Sequence, residues 1–124
     1  MSNVQLFKSY SAGAGIAAYT LVKFSAAETV VAAAAASDFI VGVSHDVAAA
    51  TGERVDVAHD GIAFVVAGAA IAQGALLTSD ASGRAVTAAP GAGTNNRVIG
   101  FAIEAAAALG DVIRVQLSPG SFQG

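Results

Sequence analysis

Apolar and polar residues alternate in several short segments of this chain. Val55 and Val57 alternate with charged residues, and the same alternation recurs over residues 113–117. Because successive side chains of a strand point to opposite faces, a period of two predicts strands with one buried face and one solvated face. A turn sequence at residues 80–83, between two short apolar runs, predicts a hairpin over residues 76–87. The pattern is that of a mainly β domain.

The apolar pattern occurs twice along the chain. Residues 40–53 correspond to residues 98–111 at a constant offset of 58 positions, with glycines at equivalent places. Upstream, residues 16–22 correspond to residues 71–77 at an offset of 55, because an intervening loop differs by three residues. Such repetition indicates a duplicated structural unit. We therefore expect a single domain with a compact β-barrel or β-sandwich made of two similar β-rich units. The two units are predicted at residues 15–61 and 70–119.

Three runs of alanine interrupt the strand pattern. Residues 48–50 and 105–108 lie between predicted strands and are followed by Gly52 and Gly110. Each is predicted to form a short helical turn that ends at its glycine. Residues 32–36 fit either a strand end or a short helical insert, because alanine favours helices while the neighbouring valines and isoleucine favour strands.

The two ends of the chain differ from the repeat. Residues 1–14 are predicted to form an extended N-terminal arm, and residues 120–124 an extended C-terminal tail. Apolar side chains at chain ends either dock onto another chain or fold back over the domain. The candidate residues for an interface with a partner are Val4, Leu6, Phe7, Tyr10 and Phe122.

The composition gives a further reason to expect partner chains. The 124 residues suffice for one domain, and a content of 55% apolar and 12% charged residues excludes a disordered chain. Much of the apolar fraction is alanine, which buries little area at about 25 cal/mol per Å². A small domain with such a thin core gains stability from neighbouring chains. We therefore expect an oligomer or a subunit docked on a larger assembly.

Charge and cysteine content exclude several classes of protein. The net charge is −3 and the six lysines and arginines are scattered singly, so no nucleic-acid partner is expected. The absence of cysteine excludes disulfides and thiolate sites. Residues 61–79 carry no charge, yet their glycines and alanines make a poor membrane span. We expect no targeting segment, no membrane partner and synthesis in the cytoplasm.

Two histidines are the strongest candidates for chemistry. His45 and His59 are each followed by aspartate, and imidazole beside carboxylate suits metal binding or acid–base catalysis. The repeat, however, aligns His45 with Ile103 and His59 with Leu117, and neighbouring strand residues point to opposite faces. We therefore predict partly buried structural histidines, with no catalytic residue, no metal site and no cofactor.

Several motifs resemble one family of phage proteins. The sequences Ile-Gly-Phe-Ala-Ile-Glu-Ala-Ala at 99–106, Gly-Asp at 110–111 and Ile-Arg-Val-Gln-Leu at 113–117 are similar to the C-terminal signature of the capsid cement, or head-decoration, proteins of tailed bacteriophages. In the first unit, Gly-Glu-Arg-Val-Asp-Val at 52–57 resembles the middle of such proteins. The resemblance covers residues 15–119. Ala75 departs from it, because the family commonly has an acidic residue there.

The resemblance implies a structural virion protein without enzymatic activity. Such a protein is made in the host cytoplasm, binds the major capsid protein on the outer surface of the assembled head, and braces the head against the pressure of packaged DNA. Members look trimeric, so a homotrimer with multivalent contacts is implied. We expect the N-terminal arm with Leu6, Phe7 and Tyr10 to dock on the coat by adding a strand to a coat sheet. Deleting residues 1–10 is then expected to abolish capsid binding and leave a folded oligomer.

A carbohydrate- or receptor-binding β module of a phage tail or bacterial surface protein is the main alternative. Such a module would present exposed aromatic platforms, but the chain has no tryptophan and only two tyrosines. A small hydrolase would need a nucleophile, a base and an acid within reach of one another, and no motif in the sequence supplies them.

Overall fold

The chain folds as a continuous β-sheet that curls into barrels. The computed structural model describes residues 3–45 and 47–123, and strands make up 54% of the chain. The prediction of a mainly β barrel is confirmed. In chain order the strands of the described residues are β1 (Asn3–Ala12), β2 (Leu21–Ala26), β3 (Thr29–Ala32), β4 (Gly42–Ser44), β5 (Arg54–Val66), β6 (Leu76–Ser79), β7 (Ala85–Thr87), β8 (Asn95–Ala102) and β9 (Val112–Gln123).

The first four strands and the first half of β5 form a closed barrel. Its strand order is β1-β3-β2-β4-β5, and β1 closes the ring by pairing antiparallel with β5, with Tyr10 opposite Val55. β1 also meets β3 in parallel, with Ala12 opposite Val30. Closure pairs the first and last strands of the series, so a free edge remains only along the part of β1 before Ser11, among the described residues.

The second half of β5 is the first strand of a second set of strands. These strands pair in the same order as those of the first barrel. This half of β5 pairs with β9, and β8, β6 and β7 follow. A single parallel bridge between Ala67 and Ala85 joins the two ends of this series. That bridge takes the place that Ala12 and Val30 occupy in the first barrel, so β5 is shared by two similar halves.

The strand registers confirm that the two units are similar. Leu21 lies opposite Val43 on β2 and β4, and Leu76 lies opposite Phe101 on β6 and β8. The offsets of 55 and 58 residues found in the sequence relate these two pairs. The hairpins β2–β3 and β6–β7 obey the same offsets, as do the pairs β4–β5 and β8–β9. The hairpin expected at residues 76–87 is the β6–β7 pair.

The terminal segments are part of these units and not separate appendages. Tyr10 opposite Val55 in the first unit corresponds to Val65 opposite Ile113 in the second. The register therefore places β1 within the first unit, whereas the sequence placed residues 1–14 outside the repeat. At the other end, β9 continues to Gln123 as the hairpin partner of β8, so the expected tail is a strand over this stretch.

The alanine runs are extended and lead into turns, and the expected helical turns are wrong. No helix occurs among the described residues, and one alanine of each of the two runs expected to be helical forms an isolated β-bridge. Side-chain carboxylates accept hydrogen bonds from backbone amides at each turn. Glu53 accepts a hydrogen bond from the Ala50 amide at 2.7 Å, and Asp111 accepts one from the Ala107 amide at 2.8 Å. The predicted glycine stops do end both turns with positive φ, 84° at Gly52 and 95° at Gly110. Of the two alternatives for residues 32–36, the strand end applies, because β3 stops at Ala32.

Two hydrophobic clusters make up the core. One fills the first barrel and consists of Tyr10, Ala12, Ile16, Val22, Val30, Val41, Ala49, Val55 and Val57. The other is larger and combines the interior of the second unit with first-unit residues that include Leu21, Val43 and Ala58. The second unit therefore packs against the outside of the first barrel.

The uncharged stretch 61–79 lies within the same architecture. It comprises the end of β5, an irregular connection and β6. In the part of the chain that the structure describes, no helix is long and apolar enough to cross a membrane.

Candidate interaction surface

The structure separates the side chains that the sequence grouped as an interface. Phe7 is 41% exposed, and its ring lies edge-on to His45 with a centroid distance of 4.6 Å. Tyr10 is only 7% exposed and belongs to the core of the first barrel. The structure does not describe the side chains of Val4, Leu6 and Phe122. The predicted interface therefore stays a prediction, with Phe7 as its surface-exposed member.

The backbone of β1 keeps one side unpaired along most of its length. Asn3 to Ser11 pair with β5 on one side, whereas only Ser11 and Ala12 also pair with β3 on the other. A strand with one unpaired side can accept another strand by backbone hydrogen bonding. The described part of β1 therefore retains the feature that strand addition requires.

A row of four side chains crosses the second unit, and two of the four are exposed. Leu76 on β6 lies opposite Phe101 on β8, Phe101 lies opposite Gln116 on β9, and Gln116 lies opposite Ile62 on β5. Leu76 is 38% exposed and Phe101 is 41% exposed. We call these four residues the exposed row. The sequence did not reveal it, because Leu76 and Phe101 match Leu21 and Val43, which look like core residues.

A second apolar group lies on the outer face of the same unit. Val112 is 46% exposed and pairs with Val66, and nearby Leu109 is 60% exposed. The equivalent positions of the first unit hold polar residues, with Ser11 opposite Arg54. Comparing the two units position by position would have found this group, since a polar pair has been replaced by two valines. Exposed apolar groups of this kind mark interaction surfaces.

Both histidines are partly buried, as expected from the sequence. His59 lies with its Nε2 2.9 Å from the Tyr10 hydroxyl. Burial lowers the pKa of His59, and the positive charge of Lys8 lowers that pKa further. His45 contacts the Phe7 ring. Among the described residues, no three His, Asp or Glu side chains converge as metal ligands.

Several carboxylate side chains stabilise turns by accepting hydrogen bonds from backbone amides. Asp38 accepts hydrogen bonds from the Ala34 and Ala35 amides at 2.8 and 3.0 Å and pairs with Lys23 at 3.0 Å. Burial acts to raise the pKa of Asp38, but the amide hydrogen bonds and Lys23 outweigh it and lower the pKa. Asp80 likewise accepts from the Arg84 amide and pairs with the Arg84 guanidinium at 2.8 Å. These carboxylates shape the local backbone and do not line a common site.

Comparison with known proteins identifies the family. The sequence pattern of the phage cement protein family matches residues 4–117, which is nearly the whole of both units. The chain belongs to the phage cement protein family. The predicted resemblance to cement proteins is thereby confirmed, and the chain is a structural protein of the phage head. No curated protein sequence matches it.

One solved structure shows the cement-protein fold of this chain. The head fiber gp8.5 N base in bacteriophage phi29 superposes with a TM-score of 0.73 at 22% sequence identity. The alignment covers 96% of this chain and 98% of that chain. At this level of identity the comparison shows that the fold is shared over the full length of both chains.

Proposed function

We propose that this cement protein binds the outer surface of the assembled phage head, contacts the major capsid protein, and stabilises the shell against the pressure of packaged DNA. The observation that carries the proposal is the family match over residues 4–117. The name of the structural neighbour, a head fiber base, is in accord with a position on the head. Synthesis takes place in the host cytoplasm before attachment.

A homotrimer is the form we propose for the bound protein. The core is thin because valine and alanine supply most of its side chains. The surface, in contrast, keeps several large apolar residues exposed. A trimer covers part of that surface and presents three copies of each coat contact, so three weak contacts act together. Such multivalency suits a protein that spans several coat subunits.

The contact with the coat is proposed to use β1. Its unpaired side offers backbone amides and carbonyls to a coat strand, and Phe7 offers an exposed ring beside that edge. Deletion of residues 1–10 is a poor test of this contact, because β1 closes the first barrel and Tyr10 is part of its core. The deletion is expected to open the barrel, so a folded product is no longer expected.

The decoration role is tested with expanded heads that lack the protein. The purified protein is mixed with such heads at increasing concentration, the heads are sedimented, and the bound copies are counted. Saturation at a copy number related to the icosahedral symmetry, together with greater resistance of the heads to thermal or osmotic disruption, supports the proposal. Failure to bind heads that accept their own decoration protein overturns it.

The β1 contact is tested with Phe7→Ala in the same assay. Loss of an exposed ring from the interface is expected to weaken head binding roughly five- to thirtyfold, as for an aromatic anchor worth about 1–2 kcal/mol. Phe39→Ala is the matched control, because Phe39 is 57% exposed and lies outside β1. Equal binding by the two variants contradicts a role for Phe7.

A further inference from the structure

The two units differ in whether one particular row of side chains is covered. Leu21, Val43 and Ala58 lie side by side across β2, β4 and β5, and none is more than 1% exposed. All three belong to the hydrophobic cluster of the second unit. The equivalent row in the second unit is Leu76, Phe101 and Gln116, of which Leu76 and Phe101 are exposed. At these three positions the row is covered in the first unit and partly open in the second, whereas Phe7, the first-unit equivalent of Ile62, is exposed.

The β6–β7 turn is the part of the second unit that reaches this place. The Leu21 amide donates a hydrogen bond of 2.8 Å to the Gly83 carbonyl. A Cβ atom at Gly83 would lie 2.6 Å from Cγ2 of Thr20, so the turn presses directly on β2. Ser79, at the end of β6, is 3% exposed. The turn and the end of β6 thus lie beside Leu21, and the Leu21 row itself is buried within the hydrophobic cluster that it shares with the second unit.

The first unit has an equivalent surface, made of the β2–β3 turn and the end of β2. Glu28 in the β2–β3 turn corresponds to Gly83, and both have positive φ, 55° and 75°. Phe24 on β2 corresponds to Ser79, because Phe24 opposite Val30 matches Ser79 opposite Ala85. Phe24 is 43% exposed. A partly exposed ring, packed edge-on to Tyr10 with a centroid distance of 5.4 Å, thus stands where the second unit buries a serine.

The residues at the open row leave room for a side chain in the turn. Gly83 can lie this close to Thr20 only because it has no Cβ atom. In the second unit the position of Thr20 is taken by Ala75, which lacks the γ methyl group. A turn that carries Glu28 instead of glycine therefore meets a smaller neighbour at this position. The exposed row and the β2–β3 turn therefore fit each other in the same way as the Leu21 row and the β6–β7 turn already do within the chain.

We propose that the exposed row of one copy is covered by the β2–β3 turn and Phe24 of a second copy of this chain. The inference rests on the homotrimer proposed above and specifies its contact. The contact joins two different surfaces, so it is heterologous. In a closed ring of copies, both surfaces of every copy are covered. Leu76 and Phe101 then become buried against Phe24, as Leu21 and Val43 are buried within the chain.

The test measures the mass of the protein in solution by analytical ultracentrifugation, without heads. The unaltered protein is expected to sediment as a trimer, whereas Phe101→Glu and Phe24→Glu are each expected to sediment as monomers. Leu76→Glu and Glu28→Lys provide a second variant for each surface, and circular dichroism verifies that each variant is folded. Phe39→Glu, at an exposed ring outside both surfaces, is the control and is expected to remain trimeric.

Mixing the two variants tests the head-to-tail geometry. Phe24→Glu retains an intact row, and Phe101→Glu retains an intact turn surface, so an equimolar mixture contains one functional contact per pair. A dimer in the mixture, formed by neither variant alone, supports the proposal. A mixture that stays monomeric, folded variants that stay trimeric, or an unaltered protein that is monomeric each overturn it.

The inference and the decoration role fail in distinguishable ways. A monomeric protein that still saturates heads overturns the contact between copies and leaves head binding intact. A trimer that dissociates with Phe101→Glu but never binds heads supports the contact and overturns the decoration role.

Discussion

At the scale of single residues, two glycines allow neighbouring strands to approach closely. A Cβ atom at Gly42 would overlap the Ala58 carbonyl, and one at Gly100 would overlap the Gln116 carbonyl. These carbonyls occupy equivalent places in the two units, because Ala58 and Gln116 correspond. The duplicated glycine therefore marks a backbone contact that both units need.

Replacing either glycine by alanine is expected to destabilise the fold. Gly100→Ala and Gly42→Ala force the strands apart, and overpacking of this kind costs about 1–3 kcal/mol or more. The free energy of unfolding in urea measures the effect. Gly15→Ala is the control, because no atom lies within 4 Å of a Cβ placed there. Equal stability of Gly100→Ala and Gly15→Ala contradicts the close approach.

The lowered pKa of His59 makes the stability depend on pH. In the unfolded chain His59 titrates near its ordinary value of 6.5, whereas burial and Lys8 lower its pKa in the folded protein. Between these two values the unfolded state binds more protons, so stability is lost as the pH falls below about 6.5 and levels off below the folded pKa.

The thermal midpoint at pH 7.5 and at pH 5 measures this dependence. We expect a lower midpoint at pH 5, and a smaller difference between the two pH values for His59→Gln, which cannot titrate. An equally large difference in His59→Gln assigns the pH dependence to other groups.

At the scale of elements, the turns depend on carboxylates that hold backbone amides. Asp38, Glu53 and Asp111 each accept hydrogen bonds from amides three or four residues earlier in the chain. Residues 48–50 and 105–108 therefore lead into turns held by these carboxylates, despite the helical preference of alanine. A carboxylate that follows an alanine run was visible in the sequence, but its reach back to the amides depends on the turn geometry.

Asp38→Ala is expected to destabilise the protein by about 1–2 kcal/mol. The substitution leaves the Ala34 and Ala35 amides without their acceptor and removes the partner of Lys23. Urea unfolding at pH 7 provides the measurement. Arg54→Ala is the comparison, because its pair with Asp56 is highly exposed and long at 3.8 Å, and a change below about 0.5 kcal/mol is expected there. Similar losses in the two variants contradict the role of Asp38.

The sequence predicts most of the strands and the duplication, but not which surfaces are covered. Alternation at residues 113–117 reports directly which side chains share a face, so β9 was found. β1 was missed as part of the repeat, because its residues 7–10 and their equivalents 62–65 share no identity. The exposed row was missed for a different reason. Leu76 and Phe101 have the character of core residues, and only the packing of one unit on the other decides that they remain open.

At the scale of the whole molecule, the two units form one cooperative body. They share β5, and Leu21, Val43 and Ala58 of the first unit belong to the hydrophobic cluster of the second. Loss of the second unit therefore exposes the outside of the first barrel. Small domains with a common core unfold in one transition.

We therefore expect a single unfolding transition in urea. Tyr10 lies in the core of the first barrel, and Tyr19 contacts Phe64 where the two units meet. Tyrosine fluorescence therefore follows the first unit and its contact with the second, while far-UV circular dichroism follows all strands. A Tyr19→Phe variant keeps Tyr10 as a reporter of the first barrel alone. The two curves are expected to coincide at each protein concentration. A fluorescence curve displaced from the dichroism curve shows that the units unfold separately.

The shared strand also determines how the protein carries a mechanical load. β5 runs without interruption from Arg54 to Val66 through both halves, so no flexible linker separates them. Two domains joined by a linker would swing apart when the surface beneath them expands. Here, tension applied to one half passes along the backbone of β5 and is resisted by its hydrogen bonds to β1 and β9 together. An uninterrupted β5 therefore favours transmission of tension between the two halves over their separation.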